Sequence, residues 1–196
     1  MSRQLAGSDV AAPQRAKIRP MLPADIPSVV RIQLQCYLPD NIESEAVIRA
    51  RLASTPDTAR VAEVRGEVCA YLVGYRSRLG QVGALGDGFE PTTEPDCLYL
   101  HDLAVGPQGR GLGLGPLLVT HALAQARREG LAWAALVLVQ GSQDFWHQQG
   151  FMAMRLDDRD QLQALASYAG GPACYMTQAL LETADSCQTG ELAYSS

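Results

Sequence analysis

The sequence predicts an α/β fold built around a mixed β-sheet. One strand-like segment, 97–105, leads through a glycine-rich loop into an amphipathic helix at 115–129. A second segment, 133–139, is apolar at every position, as expected of a strand that is buried on both faces. Two further strand-like segments, 59–65 and 68–76, lie close enough in the chain to form a tight hairpin. Strands that alternate with helices, together with an antiparallel hairpin, indicate a mixed sheet.

The chain of 196 residues is long enough for one domain with its own hydrophobic core. We predict that this domain covers residues 16–182, between a flexible leader at 1–15 and a polar tail at 183–196. The leader has no apolar segment of signal-peptide length. The longest apolar run, 131–139, has about half the length that spans a bilayer. We therefore predict no membrane association.

Charge and cysteine content narrow the choice of partners. The net charge is −5, and no run of Lys and Arg is present. A nucleic-acid partner is therefore not expected, whereas a cationic small molecule is easy to accommodate. The five cysteines lack the close pairs of a zinc site. We predict buried, reduced thiols in a cytoplasmic protein that holds no metal.

The elements before residue 97 follow from periodicity and turn residues. They are a strand at 17–22, helices at 23–37 and 43–52, the hairpin, and a long loop at 77–96. The hairpin turn is predicted at Gly66-Glu67. The apolar residues at helical spacing in the first helix are Ile26, Val29, Val30 and Leu34.

The elements after the glycine-rich loop are placed by their capping signals. Gly130 is a good C-terminal stop for the helix at 115–129. Ser142 is predicted to be the N-cap of a short helix at 143–149. The residues expected on one face of the helix at 115–129 are Leu117, Leu118, His121, Ala122 and Gln125. A strand that begins at 151 and a last strand at 173–180 complete the predicted sheet.

The glycine-rich loop, PQGRGLGLGPLL at 107–118, has four glycines at every second position. Such a loop between a strand and a helix offers free backbone N–H groups to an anion. The dinucleotide fingerprint does not fit, because its sixth position falls on Leu114 or Pro116, and no Gly-Lys-Ser/Thr follows. The pyrophosphate loop for coenzyme A, R/Q-x-x-G-x-G/A, does fit.

The strand ending in LAV, this loop, and the later FWHQQGF together resemble the GNAT superfamily of acetyl-CoA-dependent N-acetyltransferases. The resemblance covers about 17–180, with its specific motifs in 98–151. It implies the GNAT fold, a mixed and mostly antiparallel sheet of about six to seven strands flanked by about four helices. It also implies acetyl-CoA as the acetyl donor, an amine acceptor, and a possible homodimer.

The loop motif fits the sequence twice, from Gln108 and from Arg110. In the family the Gln or Arg lies five residues past the last residue of the strand, and counting from Val105 gives Arg110. This register also places Pro116 in the first helical turn, where its missing N–H is not needed. The predicted coenzyme A loop is therefore Arg110, Gly111, Leu112, Gly113, Leu114, Gly115 and Pro116. Gly109 is expected only to shape the turn and to tolerate Ala.

The resemblance also implies an acetyl-binding strand that separates from its neighbour at a bulge. The backbone of Leu103, Ala104 and Val105 is expected to bind the acetyl carbonyl and the pantetheine arm, through the N–H groups of Leu103 and Val105. Strand alternation predicts that His101 shares one face with Tyr99, Leu103 and Val105, and that Asp102 points to the other face.

His101 is the predicted general base, since an imidazole accepts a proton near neutral pH. YLHDLAV resembles the HLHxLAV strand of arylalkylamine N-acetyltransferases, where histidines act as base or relay, with Tyr99 in place of the first histidine.

The motif FWHQQGF departs from the F-Y-x-x-x-G-F of the family, whose tyrosine protonates the leaving thiolate. Trp146 takes the place of that tyrosine, directly after Phe145, and an indole has no usable proton to give. Either another residue such as Tyr99 or His147 supplies the proton, or the thiolate leaves unaided. Trp146 then packs against the pantetheine end or belongs to the core.

The loop at 77–96 is expected to cover the acceptor site, where its acidic residues could attract a cationic amine: Asp87, Glu90, Glu94 and Asp96. The predicted activity is acetyl transfer to a primary amine, with a small arylalkylamine or polyamine-like acceptor preferred. The alternatives are a peptide N-terminus or lysine as acceptor, and a GNAT module that binds acyl-CoA without catalysis.

Overall fold

The computed structural model describes residues 16–39, 42–83, 89, 92–139, 141–168 and 173–181. The strands in this part of the chain are β1 (Lys17–Pro20), β2 (Arg60–Val64), β3 (Glu67–Ser77), β4 (Cys97–Val105), β5 (Trp133–Leu138), β6 (Met152–Ala153) and β7 (Cys174–Ala179). They form one sheet in the order β1-β2-β3-β4-β5-β7-β6. Neighbouring strands are antiparallel except β4 and β5, which are parallel. The predicted mixed, mostly antiparallel sheet is confirmed.

The described residues form five α-helices: α1 (Ile26–Cys36), α2 (Glu45–Ser54), α3 (Leu114–Arg128), α4 (Gln143–Gln148) and α5 (Arg159–Ala166). No helix in these ranges is long and apolar enough to cross a bilayer. The predicted leader at 1–15 and tail at 183–196 lie outside the described residues.

Two hydrophobic clusters cover the opposite faces of the sheet. Leu72 of β3 packs with Leu118 of α3 on one face, whereas its neighbour Tyr71 packs with Ile32 of α1 and Ile48 of α2 on the other. This division follows from the alternation of side chains along a strand. A third cluster, with Tyr75, Tyr99 and Tyr175, packs against Leu165 and Tyr168 at the end of α5.

The parallel pair β4–β5 is short, and this shortness opens the sheet. The two strands pair only from Cys97–Trp133 to Tyr99–Ala135. Strand β5 continues beside β7 as far as Leu138, whereas β4 continues beside β3 as far as Val105. The last six residues of β4 therefore have a partner strand on one side only.

A β-bulge lies where β4 leaves β5. Val73 of β3 pairs with Asp102, but the next residue, Gly74, pairs with Leu100, so His101 is an extra residue in β4. An extra residue interrupts the alternation of side chains. The prediction that His101 shares a face with Leu103 and Val105 is therefore wrong. Those two side chains pack towards α3, whereas His101 and Asp102 line one narrow cavity beneath α1 and α2.

Several boundaries also differ from the predictions. The hairpin turn is at Arg65-Gly66, one residue earlier than predicted, because these two residues have the positive φ angles of 57° and 80° that such a turn requires. Leu34 and Leu117 are 62% and 41% exposed, so neither lies on the core face of its helix. Ser142 is the N-cap residue of α4, but its side chain makes no capping hydrogen bond.

Helix α5 is absent from the sequence-based prediction, which extends a strand from residue 151 instead. Strand β6 has only two residues, and α5 begins after Asp158, whose carboxylate accepts hydrogen bonds from the N–H groups of Asp160 and Gln161. This N-cap satisfies two donors that the first helical turn leaves unpaired. It thereby sets the start of the helix that covers the tyrosine cluster.

We expect Asp158→Ala to lower the free energy of unfolding by about 1 kcal/mol, whereas Asp158→Asn should retain the cap. Urea unfolding of both variants measures the difference. Asp157→Ala is the control, because Asp157 is exposed and outside the cap. Equal stability of Asp158→Ala and Asp157→Ala would contradict the capping role.

Candidate functional site

The glycine-rich loop presents a row of unpaired backbone donors at the start of α3. Gly111 and Gly113 have left-handed backbone conformations, with φ of 74° and 69°. Within the described ranges, the N–H groups of Gly111, Gly113, Leu114 and Gly115 donate to no backbone acceptor. Together with the positive end of the helix dipole, these four donors form a site for an anion such as a diphosphate.

The environment of the loop supports the register that begins at Arg110. Residues Arg110 to Gly113 are exposed, and a Cβ atom added at Gly111 or Gly113 would meet nothing within 4 Å. In the other register, Gln108 and Gly109 belong to a 3-10 turn at Pro107–Gly109. The Gly109 N–H is already used, since it donates to the Gly106 carbonyl at 2.9 Å.

Gly109 has a different role from the one predicted. It is buried, and a Cβ atom there would lie 2.7 Å from Leu114 Cδ1 and 3.1 Å from both the Cys69 carbonyl oxygen and Val105 Cγ1. The expectation that this position tolerates Ala is therefore wrong. Gly109 lets the turn pack directly on the backbone of β3, which fixes the loop against the sheet.

The pair Phe145 and Trp146 lies behind the loop, on the α3 face of the sheet. A Cβ atom at Gly115 would lie 3.4 Å from the Phe145 ring, and the rings of Phe145 and Trp146 meet edge to face at 4.9 Å. Trp146 is buried and also contacts Phe151. Trp146 is thus packed as a core residue, on the face opposite His101, and its predicted contact with the pantetheine end stays a prediction.

The open edge of β4 presents a second set of unpaired donors. The N–H of Gly106 donates to the Cys69 carbonyl at 2.8 Å, and hydrogen-bonded pairs alternate along an antiparallel ladder. The N–H groups of Leu103 and Val105 therefore point away from β3, towards the gap between β4 and β5. Ala104, between them, buries its side chain against α1 and α2.

The carbonyl groups on this edge are satisfied by side chains of α1 and the residue that follows it. The Leu103 carbonyl accepts a hydrogen bond from the Tyr37 hydroxyl at 3.2 Å. The Val105 carbonyl accepts one from the Cys36 thiol at 3.3 Å. The end of α1 thus occupies acceptors that a neighbouring strand would normally use, and the N–H groups stay available.

His101 is part of a charged cluster with two residues near α2. Its Nε2 atom lies 2.6 Å from Arg51 Nη1 and 3.5 Å from Glu43 Oε1, and Arg51 also donates to Glu43. A guanidinium can only donate, so the contact with Arg51 uses Nε2 as an acceptor, whereas a contact with Glu43 uses it as a donor. The Phe89 ring meets the imidazole edge to face at 5.0 Å. The predicted base therefore lies between a guanidinium and a carboxylate.

Asp102 faces the same cavity and is held by three donors. They are the hydroxyl groups of Tyr37 and Tyr71, the latter at 2.6 Å, and Gln33 Nε2 at 3.3 Å. Burial, together with the Asp102 charge, raises the pKa of both tyrosines. Both hydroxyl groups therefore keep their protons at neutral pH and can act as donors.

Tyr99 is almost completely buried. It is only 2% exposed, and its ring is 5.0 Å from that of Tyr75. Burial raises the pKa of the Tyr99 hydroxyl well above its usual value. The hydroxyl thus stays protonated, and its predicted catalytic part stays a prediction.

The acidic residues of the loop at 77–96 are only partly described. Asp87 and Glu90 lie outside the described residues. Glu94 pairs with Arg78 at 2.8 Å, and Asp96 accepts the N–H of Leu79 at 2.8 Å. These two carboxylates are engaged within the loop itself.

The sequence-based prediction misses four residues around the site: Cys36, Tyr37, Glu43 and Arg51. Tyr37 and Arg51 reach β4 across more than 40 residues of chain, so no local pattern joins them. One signal was present, because Arg51 lies between Ile48 and Leu52 on the buried face of α2. A buried arginine needs an acceptor.

In the described ranges no group of three His, Cys, Asp or Glu residues is placed to hold a metal ion.

The Glu43–Arg51 pair should make stability depend on pH. Burial raises the pKa of the Glu43 carboxyl, but hydrogen bonds and charges from His101 and Arg51 outweigh it and hold this pKa below its usual value. The pair therefore stabilises the fold above the unfolded-state pKa of about 4.3. This stabilisation is lost as the pH falls through the lower folded-state pKa.

Accordingly, Glu43→Gln should lower the free energy of unfolding at pH 7 by about 1 kcal/mol, since partial exposure weakens the pair. The difference from wild type should shrink as the pH falls below about 4.3, the unfolded-state pKa, measured by urea unfolding across the pH range. The control is Glu45→Gln, which affects only an exposed pair with Arg49. A deficit that does not change with pH would refute the electrostatic origin.

Gly109→Ala should lower the free energy of unfolding by about 1–3 kcal/mol, because the added methyl group overpacks a buried turn. Unfolding in urea without any ligand measures this effect. Its exposed neighbour provides the control, since Gln108→Ala should change the free energy by less than about 0.5 kcal/mol. If the two variants were equally stable, the tight packing at Gly109 would be unimportant.

Comparisons with known proteins agree with this geometry. Residues 26–151, which include β4, the loop and α3, match the Acetyltransferase (GNAT) family. No curated protein sequence matches the chain.

Three solved structures illustrate the likeness in fold. Ard1 from Thermoplasma volcanium is 20% identical, with a TM-score of 0.64 over 85% of this chain and 99% of that one. The ribosomal-protein-S18-alanine N-acetyltransferase from Escherichia coli is 15% identical, with a TM-score of 0.61 over 88% and 98%. The PaiA N-acetyltransferase from Thermoplasma acidophilum, in complex with coenzyme A, is 12% identical, with a TM-score of 0.62 over 84% and 99%.

At these identities the structural likeness shows the fold alone, and the resemblance to the arylalkylamine branch is not confirmed. The sequence match covers more than half of the chain. The chain therefore belongs to the GNAT family of acetyltransferases.

Proposed function

We propose that this protein transfers the acetyl group of acetyl-CoA to a primary amine, with a small amine as the preferred acceptor. The observation that carries this proposal is that two sets of backbone N–H groups lack a hydrogen-bond acceptor among the described residues. One set lies on the open edge of β4, and the other lies at the start of α3. A long ligand with carbonyl groups at one end and a diphosphate at the other would use both. Coenzyme A bound to the PaiA N-acetyltransferase supports a ligand of this class.

In the proposed complex, the diphosphate meets the N–H groups of Gly111, Gly113, Leu114 and Gly115. Arg110 adds positive charge beside them, and Leu112 and Pro116 complete the loop. Phe145 supports this loop from behind Gly115. The N–H of Val105 binds the pantetheine arm, and the N–H of Leu103 donates to the acetyl carbonyl. That donor is most valuable when negative charge develops on the carbonyl oxygen during attack.

The chemical step forms an N–C bond to the acceptor and breaks the C–S bond of the thioester. His101 is the proposed base, and the amine proton moves to its Nε2 atom. Because Arg51 donates to Nε2 in the structure, the incoming amine must displace this contact. Glu43, 3.5 Å from Nε2, then faces the imidazolium that forms. The thiolate leaves without a protein acid, since thiols of this kind have a pKa of about 8.5.

The preference for a small cationic acceptor rests on two carboxylates near His101. Glu43 and Asp102 both line the cavity beneath α1 and α2. A peptide acceptor is the second candidate, favoured by the similarity to the ribosomal-protein-S18-alanine N-acetyltransferase. A module that binds acyl-CoA without turnover is the third.

These candidates differ in a direct assay. Purified protein is incubated with acetyl-CoA and either a panel of arylalkylamines and polyamines or a panel of peptides. Release of the CoA thiol and the mass of the product are measured. Turnover with the amines supports the proposal, and turnover with peptides alone supports the second candidate. Binding of CoA without turnover on either panel would support the third candidate, a module that binds acyl-CoA without catalysis. No binding of acetyl-CoA in calorimetry would refute all three.

His101→Gln should lower kcat by about 100-fold or more, because the proton acceptor is lost. Its dissociation constant for acetyl-CoA should be unchanged, and the acidic limb of the pH–rate profile should disappear. His121→Gln is the control, since His121 lies on α3 outside the site. Full turnover of His101→Gln with an unchanged pH profile would exclude His101 as the base.

A further inference from the structure

Two consecutive side chains at the end of α1 bind the two carbonyl groups on the open edge of β4. Tyr37 contacts the carbonyl of Leu103, and Cys36 contacts that of Val105. In a strand, the C=O and N–H of one residue point to the same side. The two bound carbonyls therefore belong to the residues whose N–H groups face the gap between β4 and β5.

Tyr37 contacts both residues that flank the peptide group carrying the Leu103 N–H. Its hydroxyl contacts the Leu103 carbonyl, which belongs to the peptide group after Leu103. The same hydroxyl donates to the side chain of Asp102, the residue before Leu103. The two contacts restrain the backbone on either side of that N–H.

The Asp102 carboxylate is itself held in place, so the anchor is firm. Tyr71, at 2.6 Å, and Gln33, at 3.3 Å, donate to it from β3 and α1. A carboxylate with three donors in a partly buried site resists displacement. The direction of the Leu103 N–H is thereby tied to α1 and β3.

We propose that Tyr37 is a positioning residue, which aims the N–H of Leu103 at the acyl carbonyl, and that Cys36 does the same for Val105 and the pantetheine arm. This inference rests on the proposed function. It assigns different parts of the ligand to the two contacts: the acetyl group to Tyr37, and the arm shared by acetyl-CoA and free CoA to Cys36.

A direct proton transfer from Tyr37 to the leaving sulfur is the competing role. The hydroxyl has one hydrogen, and Asp102 and the Leu103 carbonyl share it. Burial also raises the pKa of Tyr37, which makes it a weak acid. The geometry thus favours positioning, and the two roles differ in their effect on the affinity for acetyl-CoA.

The test compares the binding of acetyl-CoA and of free CoA by calorimetry. Tyr37→Phe should lower the affinity for acetyl-CoA about fivefold, the equivalent of one hydrogen bond, and leave the affinity for CoA unchanged. Cys36→Ala should lower the affinity for acetyl-CoA and the affinity for CoA to an equal extent. Tyr175→Phe is the matched control, because it removes a hydroxyl that accepts from the Gly80 N–H, away from the Asp102 anchor, and it should keep the wild-type preference for acetyl-CoA.

A second readout separates positioning from proton donation. Positioning of the Leu103 N–H should make Tyr37→Phe lose both turnover at saturating acetyl-CoA and affinity for acetyl-CoA. A loss of turnover with the affinity for acetyl-CoA unchanged would overturn the positioning role in favour of proton donation. If Tyr37→Phe does not fold, judged by urea unfolding, Asp102→Asn should show the same selective loss of acetyl-CoA affinity.

Two results distinguish failure of this inference from failure of the proposed function. If wild-type protein binds neither acetyl-CoA nor CoA, the proposed function falls and the inference with it. If wild type binds both but Tyr37→Phe loses affinity for both equally, or for neither, only the positioning role of Tyr37 is overturned.

Discussion

The separation of β4 from β5 is the constraint on which the rest of the site depends. Beyond Tyr99 the two strands no longer pair, and backbone groups that a sheet would normally use are left over. Unpaired N–H and C=O groups inside a protein are costly unless something satisfies them. Side chains of Cys36 and Tyr37 satisfy the carbonyls. The N–H groups remain, and a ligand is their natural partner.

The bulge at His101 gives this opening its chemical character. Without the extra residue, His101 and Asp102 would point to opposite faces of the sheet. With it, both line the cavity under α1 and α2, next to Glu43 and Arg51. A single extra residue in β4 thus brings the His101 imidazole and the Asp102 carboxylate to the side of the sheet that carries Glu43 and Arg51, opposite the helix that starts at the glycine-rich loop.

Much of the fold could be predicted from the sequence, because it is recorded in local patterns. Strand β4 and the short helix α4 begin where their apolar and capping residues indicate. Helix α5 could not, since none of its eight residues is buried and Leu162 and Leu165 are its only large apolar side chains. The bulge, the Arg51 contact and the Tyr37 contacts could not either. Each depends on which residues meet across 26 to 66 positions of chain, which no local pattern records.

The tight turn at Gly109 bears on the thermodynamics of ligand binding. Its backbone lies directly on Cys69 of β3 and beneath Leu114 at the start of α3, so the loop is braced before any ligand arrives. A braced loop has little conformational entropy left to lose on association. The affinity of this loop for an anion should then be governed by electrostatics and therefore by salt concentration, with little contribution from ordering of the protein.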